Sequence, residues 1–392
     1  MKRYIKMTSW ALLAAAFFGC EREQLKPLES AGGSPAPVSN VTYESLPGAV
    51  KMTYSLPADK DLLYVQAVYT NKYGKEVSVK ASYYTNSITV EGFADTAKYK
   101  MKLYAVNRSE NKSAASEIEV KANTPPVYDA FKTVQLKEDF GGVNIHYNNP
   151  SEADLAVVVC YKDSTGAFVL YETFYSKQKE GNFTSRGFPS EQTEFAVYLR
   201  DRWDNRTDTV FQTMTPIFEK ELDKSKFRAV VLPTDIAVGW GLPIPNLWNG
   251  KIAAEGEMWH SADGAMPMHV SFDLGVTAKL SRFVLWQRRG VWIYNHGNPR
   301  HYEVWGSVNP PSDGSWNNWE KLVECTSVKP SGQPTGMNTT EDVEAAARGE
   351  EFNIPLTAPK VRYIRVKVLD TWIGKGGQAA HISEMTFYGN DK

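Results

Sequence analysis

The chain repeats itself. YAVNRSENKS begins at Tyr104, and YLRDRWDNRT begins at Tyr198, 94 residues later. Arg108 aligns with Arg202, Glu110 with Asp204, Asn111 with Asn205 and Ser113 with Thr207. The match extends upstream: PGAVKMTYSLP, ending at Pro57, parallels GGVNIHYNNP, ending at Pro150, and Gly92-Phe93 parallels Gly187-Phe188. A match this long restricts the middle of the chain to two copies of one fold. Each copy reads as β: LLYVQAVYT, YKMKLYAVN, LAVVVCYKD and TEFAVYLRD are short runs rich in Val, Tyr and Leu, punctuated by Gly, Asn, Asp and Pro. Units of this length and rhythm predict seven-stranded sandwiches.

The Tyr-x-x-x-Arg-x-x-x-Asn pattern in both copies resembles the strand that ends fibronectin type III domains. Its polar residues turn into the last hairpin, and Arg108 and Arg202 are expected to form ion pairs that fix that corner. NTPPVY, from Asn123, marks the first boundary. The copies are placed at 37–122 and 123–222. TPIFEKELDKSKFR leads out of the second, and 223–234 is expected to be a linker.

The N-terminus carries a targeting pattern. MKRYIKMTSWALLAAAFFGC has a basic start (Lys2, Arg3, Lys6), an apolar stretch from Trp10 to Phe18, and Gly19 before Cys20. It resembles a bacterial lipobox, with Phe17 where Leu is usual. That resemblance implies a signal peptide at 1–19, lipidation of Cys20, and a flexible Pro/Gly/Ser tether at 20–36 on a membrane surface. No other segment is long and apolar enough to span a bilayer. Cys160 and Cys325 lie in separate units and are expected to be free thiols.

Charge excludes one class of partner. Forty-four Lys and Arg balance 45 Asp and Glu, and no basic run stands out, so no nucleic-acid partner is expected. The aromatic residues are uneven: nine of 11 Trp and five of six His follow residue 235. The segment 235–392 is itself β by pattern (MHVSFDLG, RFVLWQR, HYEVWGS, VRYIRVKVLD, ISEMTFYG), with TEDVEAAARGEEF helical or looped.

NLWNGK, MWHS, VSFDLG, LSRFVLWQR, HYEVWGS, VRYIRVKV and ISEMTFYG follow the order seen in discoidin, or coagulation-factor C-type, domains. Family 32 carbohydrate-binding modules share that galactose-binding-like fold, an eight-stranded jelly roll. The whole arrangement also resembles lipoproteins of Bacteroidota polysaccharide-utilisation loci. The expected fold is therefore all-β: two fibronectin-III-like sandwiches, then a jelly roll at 235–392.

Strand parity sorts the aromatic-rich stretch from Leu285 to Ser307. Phe283, Leu285, Tyr302 and Val304 fall on one face and are core candidates, while Trp286 and Trp305 are assigned to packing. Between these strands, RGVWIYNHGNPR lacks alternation and carries Gly290, Gly297 and Pro299, so it reads as a surface loop. A pyranose presents an apolar C–H face to a ring and hydroxyls to polar side chains. Trp292 and Tyr294 are the expected platforms, with Arg288, Arg289, Asn295 and His296 at the rim. The resemblance adds His260 and Trp372 from neighbouring loops, and treats Trp248 and Trp259 as structural. The alternative is that Trp292 and Tyr294 fold back into a small core or meet the second sandwich. The resemblance also implies a structural Ca²⁺ near Asn249 and Glu384, although Asn249 stands where the family has Asp.

No HExxH, GxSxG or P-loop occurs. Glu255, Glu257, Asp263 and Asp370 are the carboxylates available for a hydrolytic pair. The expected function is a non-catalytic, lipid-anchored, outer-membrane protein that captures polysaccharide for neighbouring glycan-uptake proteins. The alternatives are a scaffold subunit that binds protein and, behind it, a glycan-active enzyme.

Overall fold

The computed structural model describes residues 33–252, 256–374 and 378–392. The signal peptide, Cys20 and Glu255 lie outside them. Among the described residues no helix is long and apolar enough to cross a membrane.

The first unit contains β1 (Ser39–Leu46), β2 (Ala49–Ser55), β3 (Leu62–Thr70), β4 (Glu76–Ser82), β5 (Ser87–Glu91), β6 (Lys98–Asn107) and β7 (Ser116–Lys121). They form two sheets, β1-β2-β5 and β4-β3-β6-β7. A short helix, α1 (Pro126–Phe131), opens the second unit. It is followed by β8 (Gln135–Asp139), β9 (Gly142–Asn148), β10 (Leu155–Lys162), β11 (Phe168–Ser176), β12 (Glu180–Arg186), β13 (Thr193–Asp201) and β14 (Val210–Met214). Its sheets, β8-β9-β12 and β11-β10-β13-β14, repeat the strand order of the first. This three-plus-four arrangement is the fibronectin-III-like sandwich.

The shared sequence motif builds one turn twice. The side-chain oxygen of Asn107 accepts from the backbone N–H groups of Ser109 and Asn111, and Asp201 does the same for Trp203 and Asn205. Glu110 and Asp204 both take the left-handed conformation, at φ 63° and 65°. Ser113 and Thr207 each accept a backbone N–H from the preceding strand at 3.0 Å. The repeated letters are therefore the hydrogen-bonding groups of the turn. Arg202 reaches out of its own unit to pair with Glu91 of the first. Trp203 lies so close to Gly92 that a Cβ there would sit 2.7 Å from the indole.

The third unit contains β15 (Lys220–Glu221), β16 (Arg228–Val230), β17 (Trp259–His260), β18 (Met268–Trp286), β19 (Pro299–Ser307), β20 (Glu320–Thr326), the helix α2 (Thr340–Arg348), β21 (Glu350–Asn353), β22 (Lys360–Thr371), β23 (His381–Ile382) and β24 (Glu384–Asn390). The 19-residue β18 is shared by two layers. Its first half pairs with β16 and β22, and its second half with β21 and β24. The result is a jelly-roll sandwich.

The expected linker at 223–234 belongs to this unit. Leu222 and Phe227 are core residues, and Arg228–Val230 pairs with β18. Their apolar side chains bury area that a linker would leave in water. Phe283, Leu285, Tyr302 and Val304 all lie in the core, as parity requires. Trp259 is fully buried and Trp248 packs against the same core. Trp286 and Trp305 are half-buried and donate their indole N–H groups to Ala347 O and the Glu303 carboxylate. Cys160 and Cys325 are free thiols.

Charge fixes the second unit against the third. Glu219 lies between Arg186, at 3.6 Å, and Arg282, at 3.1 Å, and Arg282 also meets Glu351 at 2.8 Å.

Candidate functional site

A cleft of about 730 Å³ opens at one end of the third unit, walled by Trp240, His260, Arg288, Trp292, His296 and His381. Four separate stretches of chain supply these walls: the turn after Val238, the paired strands β17 and β23, and the loop between β18 and β19.

The β18–β19 loop is held from beneath. Gln287, at the end of β18, is buried, and its side-chain oxygen accepts the Tyr294 backbone N–H at 2.8 Å. Its amide donates to Glu350, at 2.7 Å, and to Ser327, at 3.2 Å. The Ser327 hydroxyl also donates to Glu350, at 2.6 Å. Burial lifts the Glu350 carboxyl to about 7, and these two donors pull against that rise. Asn298 closes the loop by accepting from the Arg288 N–H and donating to Trp292 O.

The loop sends its side chains in two opposite directions. Trp292 stands in the cleft wall, with the Arg288 guanidinium 4.0 Å over its ring and His296 edge-on at 4.5 Å. One face of that indole is therefore occupied by Arg288. Tyr294 turns inward, 1% exposed, and packs with Ile293, with Ala346 of α2 and with Trp372. Tyr294 is thus not a platform, because α2 offers its ring an apolar surface to cover. Trp372 is spent in the same cluster. Its ring lies 5.2 Å from Tyr294 and its N–H donates to Ser327 at 3.1 Å. Its neighbour Ile373 lines the cleft instead. Arg289 is half-buried and does not line the cleft. His260 does, and its Nδ1 donates to Ser261 O at 2.8 Å, which leaves Nε2 as an acceptor in the neutral ring.

Two wall residues escaped the sequence reading. Trp240 is 81% exposed and sits between Gly239 and Gly241 at φ 56°. A Trp inside a Gly-Trp-Gly turn was the available signal. His381 gave none. It is 2% exposed at the floor, with its ring 5.4 Å from His260 and, among the described residues, no partner for either ring nitrogen. Burial, and then the neighbouring side chains of His260, Arg288 and His296, push its pKa down to about 3, so it is a neutral imidazole. The backbone comes close to it at Gly297, where a Cβ would lie 2.9 Å from the His381 ring.

Trp240, Tyr294 and His296 are three of the eight non-glycine residues with positive φ among those described. Each costs roughly 1 kcal/mol, and such strain gathers at functional sites.

The Ca²⁺ expected at Asn249 and Glu384 does not fit. Glu384 is fully buried, its Oε1 paired with the Lys224 ammonium at 2.7 Å and its Oε2 accepting the Gly250 N–H at 3.0 Å. The Asn249 carbonyl accepts from the Lys251 N–H. The ammonium of Lys224 supplies the positive charge that an ion would bring. Among the described residues no group of three or more His, Cys, Asp or Glu is placed to hold a metal.

The molecule is thus an all-β protein of two fibronectin-III-like sandwiches and a jelly roll bearing an aromatic, imidazole-lined cleft. Three domains of unknown function match it by sequence: DUF4959 at 35–122, DUF5126 at 123–225 and DUF5000 at 248–389. SusE-like protein BT2857 is 37% identical, with 68% of this chain and 100% of that chain covered at a TM-score of 0.46. The chain belongs to the SusE-like family. A fragment of a putative chitobiase from Bacteroides thetaiotaomicron is 19% identical over 44% of this chain and 94% of its own, with a TM-score of 0.32. A two-domain fibronectin type III segment of chicken tenascin is 12% identical over 46% of this chain and 99% of its own, with a TM-score of 0.23. No curated protein matches the chain.

Proposed function

We propose that the protein is a non-catalytic, lipid-anchored, outer-membrane glycan receptor, and that the discoidin-like third unit binds polysaccharide in the cleft. One observation carries the reading. An exposed ring, Trp240, lines the same cleft as His381, a buried imidazole whose two nitrogens have no partner among the described residues. Ring faces take the C–H face of a pyranose, and an unsatisfied buried imidazole is completed by a hydroxyl that both donates and accepts. Membership of the SusE-like family supports a place in polysaccharide utilisation at the cell surface. The two sandwiches, braced by Arg202–Glu91 and by the Glu219 network, act as a spacer between the lipid on Cys20 and the cleft. Weak single-site binding is then multiplied by density on the membrane.

The non-catalytic reading rests on the carboxylates. Glu257 pairs with Lys251 at 2.8 Å, Asp370 pairs with His301 at 2.7 Å, and neither they nor Asp263 line the cleft. Affinity electrophoresis of the full chain against neutral and acidic plant and host polysaccharides tests the proposal. Retardation by at least one glycan, lost in Trp240→Ala, is the expected result. Retardation by none sinks it.

The protein-partner reading has one observation of its own. The edge strand β11 exposes Leu170 (66%) and Tyr175 (72%), and the opposite edge strand β14 exposes Phe211 (56%). Co-purification that depends on these residues, from cells lacking the glycan, would favour a scaffold.

A further inference from the structure

Independently of the glycan reading, we infer that the outer face of the second sandwich docks a second copy of this chain, face to face and turned end for end. The duplication supplies an internal comparison. In each four-stranded sheet, period-two alternation sends one set of side chains to the core and the other outward. In the first sandwich the outward set carries ion pairs: Lys98 with Glu119 at 2.6 Å and Lys102 with Glu117 at 3.7 Å. In the second the corresponding face is apolar. Leu170, Cys160, Ala196 and Phe211 form one row across its four strands. Cys160 and Ala196 are small, so the rings of Phe168 and Phe211 meet over the two inner strands at 5.2 Å. Phe168, Leu170, Tyr175 and Phe211 are all exposed. Copies of one fold need similar cores, but nothing in the sandwich requires rings outside, and a clustered exposed apolar patch marks an interface.

Charge names the occupant. One end of the face carries Lys162 and Glu194, paired at 2.9 Å, and the other carries Arg200 and Asp204, at 3.6 Å. Both signs therefore stand at both ends, and a partner of a single sign would be repelled at each. A second copy related by a two-fold axis across the strands brings Glu194 of one chain to Arg200 of the other, and Lys162 to Asp204, twice over. The same rotation sets Phe168 against Tyr175, so the rings leave water together. Size sets the strength. Strands about 4.8 Å apart and about seven residues long give a four-stranded face of roughly 400 Å². A standard interface takes roughly 800 Å² from each partner, so the dimer is weak in free solution. Copies tethered to one membrane, as proposed above, meet at a far higher effective concentration.

Sedimentation velocity of the full chain, from about 1 μM to about 0.5 mM, covers the range of a weak dimer. A concentration-dependent shift from monomer to dimer is the expected result. Leu170→Lys and Phe211→Lys each place a charge in the apolar row and are expected to weaken the dimer by about tenfold or more. Both positions are exposed, and thermal unfolding of the two variants shows that the fold is intact. Charge reversal tests the arrangement. Glu194→Arg alone sets like charges together at both contacts of the two-fold, and so does Arg200→Glu alone; each is expected to stay monomeric. An equimolar mixture of the two is expected to form a heterodimer, because every exchanged charge then meets its opposite. A chain that stays monomeric throughout the range overturns the inference and leaves the face to a different protein, which the co-purification above detects. A dimer that survives Leu170→Lys and Phe211→Lys lies on another surface and overturns it equally. A mixture that stays monomeric overturns the end-for-end arrangement. Glycan retardation is expected to be unchanged in Leu170→Lys, so this inference and the glycan reading fail separately.

Discussion

Two aromatic clusters grow from one loop, and they end on opposite sides of the protein surface. Trp292 and His296 face the cleft, whereas Ile293 and Tyr294 close over Ala346 and Trp372. The same few residues supply both clusters, so ring content does not decide which becomes a platform. What decides is a remote apolar surface. α2, capped by Thr339 and Asp342, brings Ala346 under the loop, and Tyr294 covers it. No such surface faces Trp240 or Trp292. The closed cluster is scaffold and the open one lines the cleft.

Four substitutions break or sharpen this contrast. Tyr294→Ala removes the ring at the centre of the closed cluster and is expected to cost about 3–5 kcal/mol of stability. Glycan retardation falls with it, because Trp292 loses its support; denaturant unfolding and affinity electrophoresis read the two effects.

Glu350→Gln tests the hydrogen bonds beneath the loop. Burial raises the Glu350 carboxyl to about 7 in the folded protein, above the ordinary glutamate value of 4.5. Between those values the folded state holds more protons than the unfolded state, so stability falls as pH rises from about 4.5 to about 7. The amide carries no such charge. Thermal unfolding of Glu350→Gln between pH 4.5 and 8 is expected to lose that slope and to run above the parent at pH 8. A slope equal to the parent's would show that Glu350 is not its source.

His381→Phe replaces an unpartnered polar ring with an apolar one and is expected to change stability by less than about 1.5 kcal/mol, because it leaves no buried group unsatisfied. It is expected to abolish glycan binding. Survival of binding would show that the floor is not read.

Trp240→Ala is the smallest in stability, within about 0.5 kcal/mol, because the ring is largely exposed. It is expected to abolish retardation all the same. A Trp240→Ala protein that still binds, beside a Trp292→Ala protein that does not, would move the platform to Trp292.

The repeat was readable because its meaning is local. Asn107 and Asp201 bond to N–H groups two and four residues on, so the turn is written within one short window. Strand parity was readable for the same reason, and it placed Phe283, Leu285, Tyr302 and Val304 in the core. Lys224 on Glu384 was not readable, since 160 residues separate the partners and the match to a calcium-binding pattern stops at the acid. Arg202 pairs with Asp154 of its own sandwich, as expected, but it also reaches Glu91 of the first, which the sequence did not indicate.

By itself the sequence determined the all-β class, the duplicated sandwich and the strand faces of the third unit. Period-two burial and side-chain-to-backbone turns act over a few residues, and a few residues are enough to state them. Only the tertiary structure decided which rings stay open, that His381 lies buried in the cleft with no partner among the described residues, and that an ammonium takes the place of an ion. Each depends on which distant surface arrives to bury a side chain, and burial is settled by the whole packed chain.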